Sequence, residues 1–583
     1  MNRWMNNPKP IVFIPILLIL GLAIACGTSA PPQSTTAPAA TTATGATAVP
    51  TAKAAATPAP ATAPKAKVDR LVVALSPLPH DTNFTWEGSS SSTLDKRPFE
   101  ENLIDVDQVS LELKPMLATK WEMSADAKTW TFQLRQGVPF HFGYGEFRGK
   151  DVAHSLERIT DVPGGSIATY SGDWQKLVGS TAEEIKKNVK VNDDYQVVFN
   201  LKTPSITLAS WQVATHTDLM IYSKAQWDKD GIAATRAKPA GTGAYQLRER
   251  RSGEYVRYDR VDNHWRQTPA FKELELRWPP EDGTRLASLL AGEAQIVDIP
   301  RSLQKLASER GMKLLPSRVP IAYAQYVMGG NYAQTPDKFD PKIPWANPAT
   351  GKLVREALNR AVNLKEIRQT IFEGQGEPMY VASYHPTLPG YNPEWEKGFE
   401  AKYGYDPEKA KKLIAQAGYP DGFTVKLVST VLPGLPEMPQ LVDGMDIYLR
   451  RIGLKVEIQE MEFSKLRDLY RGHNAQGLIW ALRGTYRPTE ENINIYNYSK
   501  GITYLFEDGR IDQKFEALRK SIDVNERERL LKEIGDIKFD EYDFIPLLWL
   551  PVNATVNPKI VGEYNFGTIT GVFTHLEYVK PAP

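Results

Sequence analysis

The residues able to do chemistry are few and scattered. One cysteine, Cys26, occurs in 583 residues. The eight histidines include no pair at i, i+3 or i+4, the spacing by which one helix face presents two ligands to a metal, so neither a metal site nor a cofactor is expected. Histidines far apart in the chain could still converge in a fold. No G-x-S-x-G or H-E-x-x-H run is present. "GYGEFRGKD" (143–151) lacks the glycine spacing of a phosphate-binding loop and the Ser or Thr after its lysine. Acidic pairs such as Glu490-Glu491 are commonplace on solvated faces, which leaves a surface glycosidase as a distant alternative. The chain is expected not to be an enzyme.

The surroundings of Cys26 give its thiol a use. Arg3 and Lys9 make a positive start, Ile11 to Leu20 are apolar apart from Pro15, and Gly21 to Ala25 are small or aliphatic. This is the order of a secretory signal peptide, with an apolar core too short for an ordinary membrane-spanning helix. Cleavage after Ala25 would leave Cys26 as the first residue, which resembles the lipobox of bacterial lipoproteins; Ala23 stands where Leu is commonest. A thioether-linked diacylglycerol on Cys26 is therefore expected, holding the protein to the outer face of the cell membrane, or in the periplasm if there are two membranes. Each buried CH2 contributes ~0.8 kcal/mol, so two or three chains on one residue anchor a soluble domain. The alternative is an ordinary cleaved signal with an incidental cysteine. Residues 26–67, almost all Ala, Thr, Pro, Ser and Gly, cannot bury enough apolar surface to order themselves and read as a tether, about 35 Å long as a random coil.

The rest of the chain, 68–583, is long enough for several domain equivalents. With 70 basic and 69 acidic residues and no basic cluster, the composition argues against nucleic acid as a partner. "VDRLVVAL" (68–75) reads as a buried opening strand, and "KTWTFQLRQGVPF" (128–140) as a strand with Trp130, Phe132 and Leu134 on one face. "KDVAHSLERI" (150–159) is a helix with Val152, Leu156 and Ile159 inward. Hairpins are expected around Asn192-Asp193-Asp194 and at Ser252-Gly253. In "YDPEKAKKLIAQAGYPDGFTVKLVST" (405–430), Asp406 can cap, Pro407 suits the first turn, Ala410, Leu413, Ile414 and Ala417 share a face, and Gly418 can close the helix before a strand. Residues 444–462 repeat helix then strand, and 525–551 are a charged amphipathic helix feeding a buried strand. Helices alternating with strands predict α/β layers.

"LATKWEMSADAKTWTFQLRQGVPFHFGYGEFRGKDVAHSLERI" (117–159) resembles the signature of the family 5 extracellular solute-binding proteins. "GTGAYQL", "TRLASLLAGEAQIVDIP", "KLVREALNRAVNLKEI" and "YDPEKAKKLIAQAGYPDGF" continue the likeness in the family's order. The resemblance implies a two-lobe periplasmic-binding-protein-like fold of type II (cluster C), with a double-crossed hinge and an extra subdomain in lobe one. The implied boundaries are lobe one at 68–320 with the subdomain at about 95–200, lobe two at 321–542, and a return to lobe one over 543–583. Taken alone, Trp121, Trp130 and Phe132 are packing residues, Gly241 and Gly243 serve a turn, and His141 is a satisfied structural histidine. Phe142 stands where family members usually have Asp.

The resemblance also implies a function: capture of a solute between the lobes and delivery to an ABC permease with its ATPase subunits, by a monomer. In peptide-binding relatives a stretch like G-W-x-A-D-Y supplies an aspartate to the peptide's α-amino group. Here "LIWALRGTYRPTEENINIYNYSKG" (478–501) matches at Trp480, and the aspartate position holds Arg483. A guanidinium repels an ammonium and suits a carboxylate, a phosphate or sugar hydroxyls. The expected solute is therefore peptide-like, oligosaccharide or anionic, and not a standard peptide with a free amino terminus. The alternatives are a classical oligopeptide or dipeptide receptor, an Arg483 that faces solvent or pairs with Glu490 or Glu491, and a surface receptor that has lost its importer. Candidate ligand contacts are Trp480, Arg483, Tyr486, Arg487, Asn494 and Tyr496 from this stretch, with His80, Asn83 and Trp86 from the segment after the first strand.

Overall fold

The computed structural model describes residues 66–583 except 79–80, 88–92, 108–109, 111, 161–170, 211–218, 502 and 567–572. The expected signal peptide, Cys26, nearly all of the expected tether, His80 and the side chain of Trp86 lie outside the described residues.

Two large sheets carry the chain. The first runs Lys313–Pro316, Asn553–Val556, Ile296–Val297, Arg70–Ala74, Glu273–Arg277, Tyr255–Arg260 and Tyr245–Arg251. Arg70–Ala74 is parallel to both neighbours, with Arg70 opposite Glu273 and Val73 opposite Ile296. A central parallel strand is covered on both faces, which is why "LVVA" is a continuous apolar run rather than an alternation. The hairpin at Ser252-Gly253 is as expected: Arg251 lies opposite Tyr255, and Gly253 takes the positive φ of 74° that the turn requires.

The second sheet runs Glu377–Pro378, Ile545–Leu550, Ala322–Met328, Leu478–Thr485, Thr424–Ser429 and Lys455–Glu460. Its parallel edge is built from the two helix-then-strand units read in the sequence. Asp406 accepts from Lys409 N at 2.8 Å to cap the Pro407–Gln416 helix, whose Ala410, Leu413 and Ile414 are buried in the core of this half, beside the Gly351–Ala361 helix. Gly418 follows with φ 97°, and Thr424–Ser429 then pairs with Lys455–Glu460.

A third sheet, Ala118–Met123, Thr129–Leu134, Gln196–Asn200 and Val189–Asp193, has its own core. Trp130, Phe132 and Leu134 face it, and Val152, Leu156 and Ile159 of the Gly149–Thr160 helix close it. The hairpin here turns slightly later than expected, at Asp194-Tyr195, because Asp193 pairs with Gln196. Gly241 and Gly243 do more than serve a turn. A Cβ at Gly241 would lie 1.8 Å from Phe99 O, so these glycines let two backbone segments touch. His141 is buried with Nε2 2.8 Å from Gly243 O. Phe142 adopts φ 58°, a region that short polar side chains occupy more readily.

The chain passes between the two large sheets twice, after Pro316 and after Leu550. The passages lie side by side: Ser317 N donates to Val552 O at 2.8 Å, and Val552 N to Ser317 Oγ at 3.1 Å. The return to the first sheet, expected from about 543, comes at Pro551. Ile545–Leu550 is still paired with Ala322–Met328 and Glu377–Pro378, because its six-residue apolar run is completed only between two partners. Among the described residues no helix is long and apolar enough to cross a membrane.

Candidate functional site

The strand Leu478–Thr485 brings the candidate residues to the boundary between the halves. Arg483 is 5% exposed. Burial lowers its pKa to about 10, with Arg487 acting in the same direction and Tyr496 and Asp298 against it. The guanidinium therefore stays charged at neutral pH. Arg487, also buried, donates from Nε to Thr485 Oγ1 at 2.7 Å. Tyr323, on the neighbouring strand, shares a hydrogen bond with Ser383 Oγ at 2.7 Å and donates to Asn492 Oδ1 at 3.4 Å. Gly484 makes room for it, since a Cβ there would lie 1.8 Å from the Tyr323 ring. Among the described residues, two guanidinium groups, two phenols and a carboxylate thus share a water-poor space.

The carboxylate comes from the other half. Asp298 follows the short strand Ile296–Val297 of the first sheet and accepts from Gly434 N of the second half at 3.0 Å. Burial raises its pKa to about 6, opposed by Gly434 N–H and Arg285 and reinforced by Glu437 and Asp282. Asp298 was not a sequence candidate, although it lies within the quoted run "TRLASLLAGEAQIVDIP". A signal existed there, an acid directly after a buried strand, at the edge where open sheets hold ligands.

The other candidates are dispersed. Trp480 is 1% exposed, with its ring stacked on Tyr470 at 5.7 Å. It stands three residues from Arg483 on one strand, and odd spacing puts the two on opposite faces of the sheet. Tyr486 shares a hydrogen bond with Thr387 Oγ1 at 2.8 Å and packs edge-on to His385 and Trp549. Asn83 is tied to the first half: its Nδ2 donates to Arg236 O at 3.0 Å, and its Oδ1 accepts from Arg250 Nε at 2.7 Å.

The helix Thr489–Tyr496 divides what remains. Asn492 and Tyr496 face Tyr323 and Arg483, whereas Glu490, Glu491 and Asn494 line a crevice of about 530 Å³, open to solvent, against Leu177 and Ile206 near the third sheet. Positions 490, 491 and 494 share one helical face and 492 and 496 another. Asn494 is therefore in the crevice and not beside Arg483. Glu490 is ion-paired with Arg527 there.

Comparison with known proteins decides the family. The model of the bacterial extracellular solute-binding proteins, family 5 Middle, matches residues 112–504, more than half of the chain. The chain belongs to that family. This family 5 chain is 29% identical over 299 residues to the probable ABC transporter periplasmic-binding protein SapA of Escherichia coli (strain K12), across 48% of this chain and 50% of SapA. The chain thus spans about half the length of that curated relative. Among solved structures it is similar to the DppA periplasmic binding protein of Helicobacter pylori in complex with the peptide STSA, at 22% identity and a TM-score of 0.73, covering 88% of this chain and 98% of that one. It is also similar to AgaA of A. tumefaciens R10 in complex with agropinic acid, at 22% identity and a TM-score of 0.68, with the same coverage. The family 5 fold, two lobes of mixed α/β structure joined by two crossings, is the fold seen here.

Proposed function

We propose that the protein is a lipid-anchored solute receptor that closes its two lobes around a ligand presenting a carboxylate or other oxyanion to Arg483, and hands that ligand to an ABC importer. Lobe one would comprise 68–320 and the C-terminal segment from Pro551, with a subdomain around the third sheet; lobe two would be the chain between. The observation that carries the reading is a buried, charged Arg483 with Arg487 beside it; the family resemblance of the sequence implies an acid at this position in peptide receptors. A charge-assisted bond from a guanidinium in a water-poor site is about twice as strong as a neutral one and is bidentate toward carboxylate or phosphate. Agropinic acid, the ligand of AgaA, is of the chemical class this arrangement suits. The anchor would be Cys26, on the outer face of the membrane.

Calorimetric titration of the purified protein with di- to penta-peptides, their N-acetylated and C-amidated forms, and acidic sugar conjugates tests the solute class. Binding that survives N-acetylation and is lost on amidation is expected. Binding abolished by N-acetylation would restore the reading as an ordinary receptor for free amino termini. For the anchor, Cys26→Ser should release the protein from cells.

A further inference from the structure

The two halves exchange acids across their boundary. Glu437, at the start of the Met438–Arg451 helix in the second half, accepts from Arg301 N at 2.9 Å and from Arg301 Nη1 at 2.8 Å. Arg301 opens the Arg301–Glu309 helix in the first half, directly after Pro300, whose side chain provides no cap. The first amides of a helix lack partners inside it and carry the positive end of its dipole. Here that end is capped from the other half. In return Asp298 of the first half accepts from Gly434 N of the second at 3.0 Å. The Arg301 guanidinium also donates to Pro551 O at 2.6 Å, in the returning crossing, and to Gln375 Oε1 at 3.2 Å.

Both partners are sealed from water, Arg301 at 4% exposure and Glu437 at 0%. Glu437 Oε2 takes no hydrogen bond among the described residues. Such a pair favours a conformation only while both members are present, because removing one leaves the other charged and buried. Separation of the halves would return both to water. The pair therefore acts on the balance between closed and open states rather than on folding of either half.

We propose that Arg301 and Glu437 form a latch that holds the two lobes together, so that the protein populates its closed state before a solute arrives. The inference rests on the clamp reading above. A latch of this kind raises apparent affinity, since the fraction already competent to hold the ligand is larger, and slows exchange of ligand.

Hydrogen-exchange mass spectrometry on the solute-free full chain tests it. The backbone amides of Arg301 and Gly434, each bonded across the boundary, should be protected without ligand. In Glu437→Ala both segments should exchange at least about tenfold faster, with protection in the third sheet unchanged. The response at Gly434 is the informative one, because its acceptor is Asp298 and not the substituted residue. The radius of gyration of this variant should rise in solution scattering. Unprotected Arg301 and Gly434 amides in the solute-free wild-type protein would overturn the latch, and so would a Glu437→Ala variant that keeps Gly434 protected and its size unchanged. Neither readout uses a ligand, so failure of the latch is separable from failure of the solute reading, which is judged by titration.

Discussion

The first lobe and the boundary between lobes both bury charge, and the consequences differ. Inside the first lobe, Arg97 meets Asp105 at 2.9 Å and Glu577 at 3.4 Å, Arg266 meets Glu101 at 2.7 Å and Glu577 at 3.3 Å, and Arg250 meets Asp81 at 2.8 Å and Asp95 at 2.5 Å. These groups lie within one lobe, so a hinge motion does not separate them. Arg301, Glu437, Asp298 and Arg483 lie between lobes, so a hinge motion suffices. The same chemistry governs stability in one place and closure in the other.

The largest effect should come from the permanent network. Glu577→Ala leaves Arg97 and Arg266 short of a shared counter-charge and should cost about 3–5 kcal/mol in denaturant unfolding, with solute affinity nearly unchanged. Equal losses of stability and affinity would dissolve the distinction. Arg483→Gln should do the reverse: solute affinity falls about a hundredfold while the unfolding midpoint hardly moves.

Asp298 sharpens the comparison through pH. Its proton leaves near 3.8 in the unfolded chain and near 6 in the folded one. Between those values the folded protein holds the extra proton, so stability falls as pH rises from about 4 to about 6. Asp298→Asn keeps an acceptor for Gly434 N–H and should remove this loss, gaining about 2–3 kcal/mol on wild type between pH 4 and pH 7 in parallel unfolding titrations. A constant difference between the two proteins would contradict the burial assigned to this carboxyl. The smallest effect is remote from the boundary: Asp406→Ala should cost about 1 kcal/mol, the value of one helix cap, and leave binding alone.

What the sequence made legible was local. The cap, first-turn proline and terminal glycine around Pro407–Gln416 each act within a few residues, and the alternation of Trp130, Phe132 and Leu134 needs only a strand's period of two. The same period would have separated Trp480 from Arg483, since odd spacing on a strand divides faces; a shared motif had grouped them. Arg301 and Glu437 had no such signal. They meet across 136 residues, and only the packing of one lobe on the other gives them meaning. Asn494 shows the same limit, because its place in the crevice follows from which face the Thr489–Tyr496 helix turns outward. Pro551 replaced 543 as the point of return because an apolar strand fits either sheet by sequence, and only its partners choose.

The most direct test is native mass spectrometry of the gently purified full chain, wild type beside Arg483→Gln. A co-purified acidic small molecule in the wild type that is absent from the variant is expected. An unmodified peptide with a free amino terminus, retained equally by both proteins, would contradict the assignment of Arg483 as the anchor for an anion.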